Sequence, residues 1–125
     1  MFCPAGAMVE TPVVTELPEI PAKYCGAFYL HGKDDNDSGV IKQFSPAKAF
    51  GRIEAKRITL DGEEPLTVKS ITQIDRSSLK GILMRFEKKD FAWGITEMPD
   101  STLRIMQIDV HLKLPATTFI VSQKQ

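Results

Sequence analysis

The last quarter of the chain carries the pattern that most restricts its fold, because apolar and polar residues alternate one by one over residues 106–114. A strand places successive side chains on opposite faces, whereas a helix would scatter the same apolar residues around its circumference. We therefore predict a half-buried strand that ends at Pro115. Its apolar side chains, with Ile108 and Val110 among them, are expected to lie in the core. The polar residues that are expected to face water are Gln107, Asp109 and His111.

Elsewhere, short segments rich in aromatic and β-branched residues alternate with clusters of turn residues, at a spacing of roughly ten residues. This pattern predicts a mainly antiparallel all-β domain of roughly seven to eight strands, a small barrel or a sandwich with at most one short helix. The helix is expected after Ser45, which is typical of an N-cap before Pro46, and continues to Phe50. The other predicted strands cover residues 24–30, 40–44, 58–60, 66–74, 81–86, 91–96 and 117–121.

Residues 1–22 differ from the rest of the chain, because they hold four of the eight prolines and no lysine or arginine. Proline fixes φ and removes a backbone donor, so this stretch is expected to be extended and to join a central sheet poorly. We interpret it as a Pro-rich N-terminal arm that lies on the domain or binds a partner, with a disordered tail as the alternative. Residues 23–125 are interpreted as a single β-barrel or β-sandwich domain.

The charge balance argues against partners that are attracted at long range. Sixteen basic residues balance sixteen acidic ones, so the net charge favours neither nucleic acid nor an anionic membrane. No apolar run approaches the roughly 20 residues that span a bilayer. The N-terminal residues 1–8 carry no positive charge and no sustained apolar stretch, so no secretory signal is expected. We expect a cytoplasmic protein without membrane contact, in which Cys3 and Cys25 are free thiols.

A basic segment followed by an Asp–Ser turn supplies the first candidate ligand-binding residues. Arg52, Lys56 and Arg57 precede Asp75 and Ser77 by roughly twenty residues. This arrangement resembles the PilZ family, small β-barrels that bind cyclic di-GMP through an RxxxR segment and a DxSxxG turn. In this chain the second arginine of the segment is Lys56, and the glycine of the turn comes one residue late. The resemblance implies a phosphate contact, although an ammonium cannot reproduce the bidentate contacts of a guanidinium.

A second candidate segment, residues 85–93, interleaves Arg85, Lys88 and Lys89 with three aromatic residues. Exposed rings stack on bases while cations neutralise phosphates, as in surfaces that bind single strands. In a regular hairpin, however, the same rings share a face with apolar neighbours, which favours a place in the core. We therefore interpret the rings as core residues, with a nucleic-acid surface as the alternative. The three rings are Phe86, Phe91 and Trp93.

Two further segments are similar to known ligand sites. Residues 34–39 space their side-chain oxygens as a calcium loop does, but the closing position holds Ser45 rather than the usual glutamate. A plain turn is therefore expected there, with weak calcium binding as the alternative, and no metal site is predicted. Residues 24–29 resemble the opening strand of lipocalin-like barrels, with Phe28 in place of their tryptophan. That resemblance implies a barrel that holds a ligand.

No sequence spacing joins His31 or His111 to a nucleophile or to metal ligands, so no catalytic residue and no cofactor is predicted. We expect a non-catalytic binding module that contacts a protein partner, or itself, through features such as strand edges. A nucleic-acid or nucleotide binder is the alternative, and an enzyme without a recognisable motif is the third possibility. The candidate ligand-binding residues are Arg52, Lys56, Arg57, Asp75, Ser77, Arg85, Lys88 and Lys89.

Overall fold

The computed structural model describes residues 13–35, 38–76, 79–111 and 115–124. Cys3 and Ser77 lie outside these ranges, as do the predicted strand residues Leu112 and Leu114. Turn residues join segments rich in β-branched and aromatic residues, and this pattern produces a series of hairpins. One turn of 3-10 helix covers Ala22–Tyr24. The described residues form nine strands: β1 (Val13–Leu17), β2 (Gly26–Asp35), β3 (Lys42–Ile53), β4 (Arg57–Leu60), β5 (Leu66–Arg76), β6 (Leu79–Phe86), β7 (Phe91–Glu97), β8 (Leu103–Asp109) and β9 (Pro115–Ser122).

Strands β2 to β9 form a closed, eight-stranded antiparallel barrel. Each strand pairs with its neighbour in sequence, and β9 pairs with β2, where Leu30 lies opposite Val121, to close the sheet. The prediction of a mainly antiparallel all-β domain is confirmed, and the barrel is the architecture adopted. We call the end that carries the β2–β3, β4–β5, β6–β7 and β8–β9 connections the hairpin end. The opposite end, where β2 begins and β9 finishes, is the closed end.

Aromatic and aliphatic side chains fill the barrel. An eight-stranded barrel has an interior just wide enough for side chains to pack. Trp93 is fully buried at 0% exposure, and its ring centroid lies 5.6 Å from that of Phe86, 6.0 Å from that of Phe50 and 6.3 Å from that of Phe119. The described side chains therefore form a packed core inside the barrel.

Strand β8 reverses the predicted faces of the alternating segment. Leu103 and Ile105 are buried while Arg104 is exposed, so the odd-numbered side chains in the first part of β8 face the core. Gln107, which was expected to face water, lies on this inner side and accepts a hydrogen bond of 3.2 Å from Nε1 of Trp93. A buried indole N–H needs such an acceptor, so the polar side chain has a structural role inside the barrel.

The prediction that Ile108 belongs to the core face is therefore wrong. Ile105 is paired with Ile95 on β7 and with Phe119 on β9, and these partners select the inner face. Ile108 falls on the outer side of β8 and is partly covered. The strand ends at Asp109, so Val110 lies in the following turn, and His111 is exposed as expected.

A strand replaces the helix predicted after Ser45. Strand β3 continues through this region, and its ladder with β2 skips from Gln43 to Lys48. Residues 44–47 therefore form a bulge, which contains the cis Ser45–Pro46 peptide bond. Within a bulge the missing N–H of proline removes no ladder hydrogen bond, so Pro46 is compatible with the strand.

The N-terminal segment adds β1 to the outside of the barrel. β4 spans only four residues, whereas β5 spans eleven, so β4 pairs with only the first part of β5. β1 pairs antiparallel with the part of the same edge that runs from Ile71 to Asp75. Further along, Ile20 is buried, and its N–H donates a 2.7 Å hydrogen bond to the carbonyl oxygen of Ala55.

Candidate interaction surface

Two exposed apolar side chains mark the hairpin end of the barrel. Val40 and Ile41 are 73% and 40% exposed, and they are the large hydrophobic residues that stay exposed within the described part of the chain. A β-carbon at Gly32 would lie 3.0 Å from Cγ2 of Ile41, so the glycine lets Ile41 lie against the sheet. Val40 projects into solvent beside it.

Asp34 fixes the backbone that leads to these two residues. Its Oδ1 accepts hydrogen bonds from the backbone N–H of Ser38 at 2.9 Å and from the Ser38 hydroxyl at 2.8 Å, and its Oδ2 accepts one from the N–H of Gly39 at 3.0 Å. The Ser38 hydroxyl bond is the main cause that lowers the pKa of Asp34. This network is that of a turn, and the described residues contain no cluster suited to a metal ion.

Two lysines pack on the ring of Phe44, the aromatic residue that follows the apolar pair in the sequence. Phe44 lies in the bulge of β3, and the Nζ atoms of Lys48 and Lys42 lie 4.5 and 5.9 Å from its ring centroid. An ammonium at this distance is attracted by the negative face of the ring. Neither lysine forms a salt bridge with another described residue. We call Val40, Ile41, Lys42, Phe44 and Lys48 together the hairpin-end surface.

Lys33 is a third cation at the hairpin end of the barrel. It is paired with Lys42 on β3 and with Phe119 on β9, and paired residues lie on the same side of a sheet. The Nζ of Lys33 lies 5.6 Å from the Phe119 ring centroid and 3.3 Å from Oδ1 of Asp35. Because Asp35 balances Lys33, the cations left to attract a partner are those on Phe44.

The residues suggested by the PilZ resemblance do not form one cluster. Arg57 is bonded to Oε1 of Glu54 at 3.1 Å and lies opposite Thr67 on β5. Asp75 is eight residues further along β5, a separation of roughly 26 Å at 3.3 Å per residue. Arg52 and Lys56 are exposed near the β3–β4 turn, and Ser77 is among the residues not described.

The second predicted set lies on the β6–β7 hairpin. Lys88 and Lys89 are exposed in its turn, and Arg85 is exposed near the end of β6. The two lysines share a shallow cavity of about 240 Å³ with Glu64 and Glu87, so the local charge is mixed. The rings of the segment point away from these cations, since Phe86 and Trp93 are buried and Phe91 packs against Phe86 with centroids 5.7 Å apart.

Tyr24 covers the closed end of the barrel. It is 2% exposed, and its hydroxyl donates a 2.9 Å hydrogen bond to Oε2 of Glu97, which also accepts one of 2.9 Å from Nζ of Lys23. Burial raises the pKa of Tyr24, and the Lys23 hydrogen bond lowers the pKa of Glu97. A cleft of about 440 Å³ opens beside this group, and two of the charged residues that line it, Lys23 and Glu97, are paired with each other.

A histidine and a serine meet on the outer side of β2 and β9. Nε2 of His31 lies 2.8 Å from Oγ of Ser122 and 2.8 Å from the carbonyl oxygen of Lys124, to which the Ser122 hydroxyl donates at 2.9 Å. Both side chains thus converge on one backbone acceptor. This geometry fastens the end of β9 to β2.

Comparison with protein-family models, with curated proteins and with solved structures found no match for this chain. Function must therefore be argued from the residues themselves. Over the residues that the structure describes, no helix is long and apolar enough to cross a membrane.

Sequence reasoning missed the hairpin-end surface, although one signal for it was present. Val40 and Ile41 are adjacent apolar residues, and a strand of period two cannot bury both on one face. They directly follow a cluster of polar turn residues, which places them near the tip of a hairpin. Phe44 belongs to this surface because of the bulge in β3. The sequence predicted a helix after Ser45 and therefore no bulge.

Proposed function

We propose that this protein is a non-catalytic binding module that engages a protein partner at the hairpin-end surface. The observation that carries the proposal is the exposure of Val40 and Ile41 in the same segment of the chain as Phe44, whose ring holds two ammonium groups. Apolar surface removed from water stabilises a complex by about 25 cal/mol per Å². A contiguous apolar patch with a polar rim is typical of an interaction site.

The charge of the surface defines the partner that fits it. Lys42 and Lys48 favour carboxylates, and Val40 favours an apolar side chain, so the partner presents an apolar residue together with aspartate or glutamate. Because both ammonium groups already rest on Phe44, less side-chain freedom is lost when the partner binds. We expect this interaction in the cytoplasm, where Cys25 stays a free thiol.

A single-stranded nucleic acid fits the same surface less well. Such ligands need exposed ring faces on which bases stack. The rings of residues 86 and 93 are buried, and the Phe44 ring already carries two lysines. Binding of an oligonucleotide instead of a protein is therefore one of the results that the experiment distinguishes.

The experiment starts from a photo-reactive amino acid at position 40 of the full chain, expressed in the source organism, to capture the partner. The purified partner is then titrated against wild type, Val40→Asp and the control Thr67→Asp, which places the same charge at an exposed site on β5. We expect Val40→Asp to weaken binding by at least roughly tenfold, and the control to change it by less than roughly twofold.

A second comparison tests the charge. Lys42→Glu with Lys48→Glu is expected to weaken binding by at least roughly tenfold at low salt, and Lys88→Glu with Lys89→Glu is the control of equal net charge. Equal losses for both pairs, or for Val40→Asp and Thr67→Asp, would place the interaction elsewhere. Salt-sensitive binding of an oligonucleotide that Lys88→Ala with Lys89→Ala removes, with no protein captured at position 40, would favour the nucleic-acid alternative.

A further inference from the structure

Part of one strand edge in the barrel is covered only by the N-terminal segment. β4 pairs with Leu66 and Thr67 of β5, and no barrel strand pairs with the same edge from Ile71 to Asp75 over the described residues. β1 supplies the hydrogen-bonding partner there. Without it, the edge would present free N–H and C=O groups, which act as a template for another strand.

Apart from the backbone pairing, the described side chains at positions 15–17 contribute little to the attachment of β1. Thr15 and Glu16 are exposed, and Leu17 is only partly buried against the core. A cavity of about 180 Å³ lies at this strand end and is lined by Leu17, Pro18 and residues of β5 such as Ile71. The firm anchor comes later, at the buried Ile20. Because β1 and its anchor are separate, β1 can open without disturbing the barrel.

The register shows which strand this edge fits. Leu17, which packs against the core, lies opposite the buried Ile71 in this register. Glu16 is opposite Thr72, which carries no charge. The five-residue segment from position 13 to 17 is therefore matched to the β5 edge, and an identical segment from another molecule is matched equally well.

We infer that β1 exchanges between two copies of this chain, so that β1 of each copy pairs with β5 of the other. The exchange keeps every pairing of β1 with β5 and changes only the path of the hinge at Pro18 and Glu19. Such reciprocal swapping is a low-cost route to a twofold dimer. The exchanged strand lies beside β5 and away from the hairpin-end surface, so the inference is independent of the proposed function.

Directed disulfides test the exchange. Thr15 and Gln73 are paired directly across β1 and β5, within the reach of a disulfide. Thr15→Cys and Gln73→Cys are made in separate chains that also carry Cys3→Ser and Cys25→Ser, and the two are mixed, incubated at high concentration and oxidised. We expect a covalent heterodimer. The control mixes Thr15→Cys with Thr67→Cys, which lies on β5 outside the β1 register, and should give none.

Two results would overturn the inference. The first is a disulfide that forms only within a doubly substituted Thr15→Cys, Gln73→Cys chain, with no bond between the mixed single variants. The second comes from the unmodified chain, measured by light scattering after size exclusion. Exchange predicts that the ratio of dimer to monomer rises about tenfold for each tenfold rise in free monomer, and a monomer at every concentration contradicts it.

Discussion

At the scale of single residues, Glu97 on β7 is the group that binds Lys23 and Tyr24 at the closed end of the barrel. One carboxylate oxygen accepts bonds from Lys23 and Tyr24, and these bonds lower the pKa of Glu97 below its ordinary value of 4.5. A carboxyl group whose pKa is depressed by folding stabilises the native state above its unfolded pKa. That contribution is lost as the pH falls through the folded pKa.

We therefore predict that Glu97→Gln flattens the acid limb of the stability profile. The free energy of unfolding of wild type, measured by urea melts, should fall as the pH drops from about 5 to about 3. Glu97→Gln should show a smaller fall over the same range, because its amide does not titrate. The control Glu63→Gln removes an equal charge from an exposed loop, and an equally reduced fall in that variant would contradict the role given to Glu97.

At the scale of elements, β8 shows what an alternating pattern can and cannot predict. Period two correctly identifies a strand over residues 106–109, where β8 ends, but Val110 and His111 of the predicted strand lie in a turn. It does not identify the inner face, because the outer side of β8 also carries apolar residues such as Met106 and Ile108. The inner face is selected by Trp93 and Phe119, whose positions depend on pairings remote in the sequence.

Two isoleucines on this strand provide a matched test. Ile105→Ala removes a completely buried side chain and should cost about 2–5 kcal/mol of unfolding free energy, since it leaves a cavity. Ile108→Ala makes the same chemical change on the outer face and should cost about 1 kcal/mol. Urea denaturation of both variants checks the contrast. A larger loss for Ile108→Ala would restore the face assignment that the sequence alone predicts.

The candidate surface was less predictable than the strands. The turn between Asp34 and Gly39 follows from its residue types, and the structure places a turn network there. The bulge at residues 44–47 could not be foreseen, because an N-cap serine and a proline favour a helix when only local preferences are counted. Pairing of both flanks of that segment with β2 overrides this local preference.

At the scale of the whole molecule, closure of the sheet is the feature on which both proposed contact regions depend. Short connections predict that consecutive strands are neighbours. A barrel and a sandwich can both have that strand order, so it does not distinguish them. Closure depends on β2 and β9, whose paired residues Leu30 and Val121 lie far apart in the sequence. Because the closed barrel is filled by its own rings, its contacts with other molecules are assigned to the hairpin-end surface and to β1.

Nuclear magnetic resonance of the full chain tests this closure most directly. Paired residues of antiparallel strands have Cα atoms about 4.5–5.5 Å apart, close enough for cross-strand proton contacts. We predict such contacts between Leu30 and Val121 and between Lys33 and Phe119, as strong as those between Ile95 and Ile105 within the β7–β8 pair. Contacts between β7 and β8 without any between β2 and β9, with β9 amides exchanging as fast as those of loops, would contradict the closed barrel.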